Sequence, residues 1–180
     1  MSTPIKPSPV LFFCAILYRS DLLEVRDWEV EFSRQLFRGQ NFFPIEQNFS
    51  LFNYYEKEMG SKNLLRRLWV FSEELAARED LPKLKVNSNK LESKFKNNHH
   101  TLGRVVNFDP GFISLEQVVL ATGKPYSHRI YMQDGIYAEL TYQYQKGIWC
   151  ELPWTYPDYK ETAVKNIFDN QRALLKSLLK

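Results

Sequence analysis

A chain of 180 residues, 44% hydrophobic and 25% charged, has the make-up of an ordinary globular domain, and this length buries enough surface to need no disulfide or metal staple. A formal net charge of +3 is too mild to favour nucleic acid as a partner unless the basic residues cluster. Two cysteines far apart, Cys14 and Cys150, read as buried free thiols of a reducing cytoplasm rather than a disulfide framework. The apolar run Pro9 to Leu17 is too short to cross a bilayer. The expectation is one cytoplasmic domain over residues 1–180, with residues 1–8 a proline-punctuated, frayed lead-in.

Pro9 to Tyr18 is continuously apolar, as a central strand covered on both faces should be. Ser20-Asp21 reads as the cap of a helix running to about Phe37, with Leu22, Val25, Trp28, Val30, Phe32 and Leu36 as its stripe and Gly39 as its stop. Phe42 to Asn48 reads as a loop around Pro44, and Phe49 to Glu56 as a strand ending at Glu58-Met59-Gly60. Leu64 to Phe71 is the next strand, and Ser72 to Lys96 is mostly helical with Pro82 as a candidate break. A polar turn at Asn97 to His100 precedes a short strand from Arg104 to Phe108. Asp109-Pro110-Gly111 reads as a tight turn, since Pro presets φ at one centre and Gly accepts positive φ at the next.

Beyond that turn come a strand at Val118 to Ala121, a hairpin from Ser127 to Gln145, a strand at Ile148 to Leu152 and a closing amphipathic helix from Thr162 to Leu179. The hairpin pivots on Asp134-Gly135, a pair suited to a type I′ turn. A two-residue loop there places Ile130 opposite Glu139 and His128 opposite Thr141, with His128 and Glu139 on one face and Arg129 on the other. The fold expected is α+β: a mixed, mainly antiparallel sheet with a ferredoxin-like βαββαβ first half carrying its helices on one face, a β-hairpin extension and a C-terminal helix. Leu11, Phe13, Ala15, Trp28, Phe32, Leu36, Val70, Leu91, Val106, Val119, Ile130 and Leu140 are the expected core.

Several linked motifs stand along this frame: Tyr54-Tyr55-Glu56-Lys57-Glu58-Met59-Gly60, Asn107-Phe108-Asp109-Pro110-Gly111, His128-Arg129-Ile130-Tyr131, Gly135-Ile136-Tyr137-Ala138-Glu139 and Trp154-Thr155-Tyr156-Pro157-Asp158-Tyr159. Through them the chain, from about Pro9 to Arg172, resembles a small bacterial family catalogued as a domain of unknown function, family four-four-one-six. The resemblance implies a single-domain, cytoplasmic bacterial protein and brings no activity with it. Phe112 stands where the family pattern has Tyr after Asp-Pro-Gly, so no hydroxyl role carries over there.

No nucleophile triad, phosphate-binding Gly loop or zinc spacing is present. His99-His100 has no nearby cysteine or carboxylate to complete a metal site, and no cofactor signature appears. The candidates for chemistry are His128, Glu139 and Asp109, a histidine with carboxylates that suits proton transfer. Arg104, Lys124 and Arg129 would bind an anion, with Trp154, Tyr156 and Tyr159 on a proline-stiffened loop closing the site. Each has a structural reading beside it. Asp109 would form a turn, Glu139 a salt bridge to Arg104, Arg129 or Lys124, His128 a strand cap, and the aromatic loop a cover for a sheet edge. The functional expectation is a small-molecule binder or enzyme acting on an anionic, phosphorylated or carboxylated compound. The alternative is a non-catalytic RNA-binding or protein-interaction module. Sequence does not separate an enzyme from a binder, and it does not fix the oligomeric state.

Overall fold

Strand β1 (Val10–Arg19) runs through the middle of the protein, and every residue from Val10 to Leu17 is buried. The structure is a computed structural model describing residues 3–37, 42–47, 55–60, 64–99 and 103–180. Around β1 the chain builds α1 (Val25–Gln35), β2 (Phe42–Gln47), the single turn α2 (Glu56–Met59), β3 (Leu65–Ala76), α3 (Leu81–Asn98), β4 (Val106–Ile113), β5 (Gln117–Thr122), β6 (Arg129–Gln133), β7 (Ile136–Gln145), β8 (Ile148–Glu151) and α4 (Thr162–Leu178). The fold is α+β. All strand pairs are antiparallel, in one eight-stranded sheet of order β2-β3-β1-β4-β5-β7-β6, with β8 also on β7.

Helices α1 and α3 of the first half share one face of this sheet, and the C-terminal helix α4 covers the other. Alternate β1 residues Val10, Phe12, Cys14 and Ile16 pack with Trp28 and Phe32 of α1 and Leu84 and Leu91 of α3. The intervening residues Leu11, Phe13 and Ala15 pack with Val164, Phe168 and Leu175 of α4. Such alternation gives a strand two buried faces. Burial holds the Cys14 thiol well above its usual range, with the nearby Asp109 charge adding to the effect, so it is an inert packing group.

Several local readings change once strands meet. Helix α1 begins at Val25, because Ser20 donates its hydroxyl to the Leu64 carbonyl and Asp21 is held by Arg19 at 2.6 Å. The helix start is closed instead by Asp27, whose carboxylate accepts the Glu24 N–H at 2.6 Å. Phe42–Gln47 is a strand, not a loop: it lies at the sheet edge, where a proline such as Pro44 is tolerated. Glu56–Met59 is helical, while the rest of the expected strand, through Tyr54, lies outside the described residues, as do Gly39 and His100. Ser72 to Ala76 continues β3, pairing through Ala76 with Val10, and α3 starts at Leu81 with Pro82 in its first turn, where the missing N–H costs nothing.

The largest change concerns Asp109-Pro110-Gly111, which is no turn. The three residues continue β4 straight across Ala15, Cys14 and Phe13. Gly111 is needed for a close approach: a Cβ there would lie 2.5 Å from the Val119 carbonyl oxygen and 2.6 Å from the Phe13 ring. The hairpin also departs from expectation. Asp134 and Gly135 do form the turn, with φ of 54° and 74°, but Met132 is a bulge that slips the register by one residue. Ile130 therefore faces Ala138, and Arg129 faces Glu139. Ile130 is 73% exposed rather than core, and Leu140 is half-buried, while the other ten expected core residues are buried.

A crevice where the sheet opens

Strands β4 and β5 pair only over Gly111–Ile113 and Val118–Leu120. Before Gly111 they part, and the reason is visible in the chain. Phe108 presents both its N–H and its C=O to the gap, where the Glu92 carboxylate accepts the first at 2.7 Å and the Lys85 ammonium donates to the second at 2.7 Å. Pro110, two residues on, points the same way and has no N–H to offer a partner. Side chains of α3 thus take the place of a strand, and the opening becomes a cavity of about 960 Å³.

Cross-strand register decides what lines it. Leu17 stands beside Arg67 and Asn107, Ala15 beside Asp109, Gly111 beside Leu120, Leu120 beside Glu139, and Glu139 beside Arg129. This row shares the face that α4 covers further along the sheet. From the opposite face, through the gap, comes the polar stripe of α3. Lys85, Asn89, Glu92 and Lys96 recur at intervals of four, three and four residues, so they share one helix face. Tyr156, Asp158 and Tyr159 close the far side, and Glu58 and Arg104 the near one.

The β7 wall is tightly paired. Glu139, 2% exposed, accepts from the Arg129 guanidinium at 2.6 Å and lies 3.1 Å from His128 Nε2. Arg129 also donates to the Lys124 carbonyl at 2.9 Å and the Tyr156 hydroxyl at 3.2 Å. His128 stacks on Trp154 with ring centres 4.5 Å apart and planes 11° from parallel. The loop carrying Trp154 is tied to β7 by its indole N–H on the Leu140 carbonyl and by Thr155 on the Thr141 carbonyl, at 2.8 and 2.7 Å. Arg67 and Asp158, both nearly sealed from solvent, pair at 2.7 Å. Beside them the Tyr159 hydroxyl is buried without a hydrogen-bond partner among the described residues, and burial, with Asp158 adding, holds its pKa well above the phenol range.

The α3–β4 wall is looser. Lys85 stands 3.5 Å from Asp109, and Arg104 stands 3.4 Å from Glu58 and 3.6 Å from Glu92. Asn107 bridges the row, accepting from Arg104 and donating to Asp109 at 2.5 Å. Burial pushes the Glu92 carboxyl above the usual carboxylate range, against the pull of Lys85 and Arg104.

Of the expected site residues, Glu139, Asp109, Arg104, Lys124, Tyr156 and Tyr159 line the crevice, and His128, Arg129 and Trp154 stand behind Glu139 without lining it. Arg129, expected on the wrong face, is instead the closest partner of Glu139, because the Met132 bulge rotates it there. Sequence reasoning left Arg67, Glu92, Asn107 and Asp158 out of the site. The four-three-four spacing along α3 could have found Glu92; nothing local marks Arg67, which enters through a strand pairing. Among the described residues no group of His, Cys, Asp and Glu could hold a metal ion, and no helix is long and apolar enough to cross a membrane.

The family model described as a domain of unknown function, DUF4416, matches residues 8–174. No curated protein and no solved structure matches the chain. The chain belongs to the DUF4416 family.

Proposed function

We propose that this DUF4416 member binds an anionic small molecule, phosphorylated or carboxylated, in the crevice between β4 and β5. The observation that carries this reading is the division of cations around the opening. Inside, Arg67 touches Asp158 at 2.7 Å, and Lys85 and Arg104 stand 3.5 and 3.4 Å from Asp109 and Glu58. Lys57, Lys96 and Lys124 are exposed lining residues, and among the described residues none of them has an ion-pair partner. Such an opening draws anions inward over charges already arranged in a low-dielectric wall. The carboxylates Asp109 and Glu139 accept hydrogen bonds only, so the body of the ligand carries hydroxyl or amine donors. If the ligand reacts, Glu92 and Asp109 are the carboxyl groups placed to move a proton, and His128 serves by orienting Glu139.

A thermal-shift screen of sugar phosphates, nucleoside monophosphates and di- and tricarboxylates tests this. At least one class raises the melting temperature of the wild-type protein, and the rise is lost in Lys96→Glu and Lys124→Glu. No shift with any class, or a shift untouched by both charge reversals, defeats the reading. An RNA-binding role has less support: Trp154 stacks on His128 and Tyr159 is packed against Trp69, so neither ring is open to a splayed base.

A further inference from the structure

We propose that the anionic group of the ligand docks beside Arg104 and Lys85 on the α3–β4 wall, and that Glu92 takes up one proton from solvent as it binds. This rests on the crevice being an anion site and says where in it the charge sits. The unpaired backbone of one residue organises the cluster. Phe108 N–H holds Glu92 Oε1 at 2.7 Å, and Phe108 C=O holds Lys85 Nζ at 2.7 Å. Carboxylate and ammonium are therefore pinned side by side on the wall, and neither can swing away when a third charge arrives. Arg104 reaches the same spot, with one guanidinium nitrogen 3.6 Å from Glu92 and another 3.4 Å from Glu58. These separations are too long for hydrogen bonds; the guanidinium donates instead to the side-chain oxygen of Asn107, a neutral partner, and is committed to neither carboxylate.

An oxyanion entering here meets two cations and one unwanted negative charge. The groups acting on Glu92 are Lys85 from its own helix and Arg104, the Phe108 N–H and Asp109 from the β4 side; Asn89, Lys96, Asn107 and Glu58 line the crevice with it. Lys85 and Arg104 favour its ionised form, while burial and Asp109 oppose it. A bound anion neutralises Lys85 and Arg104, which removes what keeps Glu92 charged and adds a repulsion of its own. Protonation relieves both, and it turns Glu92 from a repelling acceptor into a hydrogen-bond donor toward the ligand. The balance is one proton from solvent on Glu92 per anion bound. By linkage, affinity falls as pH rises through the range in which the free carboxyl has ionised, by at most about tenfold per pH unit.

Sulfate is the probe, because its own charge stays constant from mildly acidic to mildly alkaline solution. Calorimetric titration in two buffers of different ionisation enthalpy counts the protons exchanged. In the wild-type protein, sulfate binds with uptake of up to one proton, and more tightly on the acid side. In Glu92→Gln uptake disappears, affinity no longer varies with pH, and on the alkaline side it equals or exceeds wild type. His128→Asn, which replaces the histidine of the other wall, keeps the wild-type uptake. Sulfate binding without proton exchange, or with uptake that persists in Glu92→Gln or vanishes in His128→Asn, overturns this inference and leaves the anion site standing. No sulfate binding to the wild-type protein at any pH overturns both.

Discussion

The two walls of the crevice use the same residue types to opposite ends. On the β7 side carboxylate and guanidinium touch: Glu139 with Arg129 at 2.6 Å and Asp158 with Arg67 at 2.7 Å. On the α3–β4 side the corresponding charges stand 3.4 to 3.6 Å apart, as Arg104 does from Glu58 and Glu92 and Lys85 from Asp109. A buried pair in contact has exchanged its water for its partner, and removing one member strands the other. A looser, more hydrated pair loses little when opened and can accept a different counter-ion. The first wall is closed on its own pairs; the second is not.

Stability measurements can break this contrast. The largest effect falls on the closed wall: Glu139→Ala, leaving Arg129 and His128 without their carboxylate, and Arg67→Ala, leaving Asp158 buried alone, should each cost about 3–5 kcal/mol in denaturant unfolding. Losses below about 1 kcal/mol would mean that this wall is no more committed than the other. Arg104→Ala sharpens the comparison from the open side. Its side chain is 32% exposed, and its loss should cost no more than about 1 kcal/mol; a cost like that of Arg67 would erase the difference.

A smaller effect depends on pH. Because the folded-state pKa of Glu92 is raised, the folded protein holds its proton to higher pH than the unfolded chain does. That stability is fully present below the unfolded carboxyl pKa and is lost as pH rises through the folded value. Wild type should therefore weaken relative to Glu92→Gln as pH climbs through the upper carboxylate range, read from paired chemical melts. A difference that stays constant or runs the other way would remove Glu92 from the titrating groups of the open wall. The smallest effect concerns Tyr159, whose hydroxyl has no partner among the described residues. Tyr159→Phe deletes an unsatisfied buried group and should leave stability within about 0.5 kcal/mol of wild type, or raise it. A loss above about 1 kcal/mol would show that the hydroxyl is bonded in solution.

Much of this fold could be read one residue at a time. The apolar run of β1, the Asp134-Gly135 turn and the stripe of α4 are local patterns, because helix and strand periodicity are properties of neighbouring residues. Part of the crevice lining was legible in the same way: Glu139 and Asp109 stand out as carboxylates among apolar neighbours, and Arg104, Lys124, Tyr156 and Tyr159 as charged or aromatic residues nearby. What tertiary structure alone decided was which of these meet. A single unpaired residue, Met132, exchanged the neighbours of Glu139, and no property of the hairpin sequence announces a bulge that its packing produces. Likewise Asp-Pro-Gly spells a turn by propensity, yet β1 pairs with all three residues on one side, while on the other Lys85 and Glu92 hold the backbone of the preceding Phe108. Propensity for a turn amounts to about 1 kcal/mol, and it yields when burial and hydrogen bonds from distant elements outweigh it. The crevice exists because those bonds come from a helix, and only the folded chain brings that helix there.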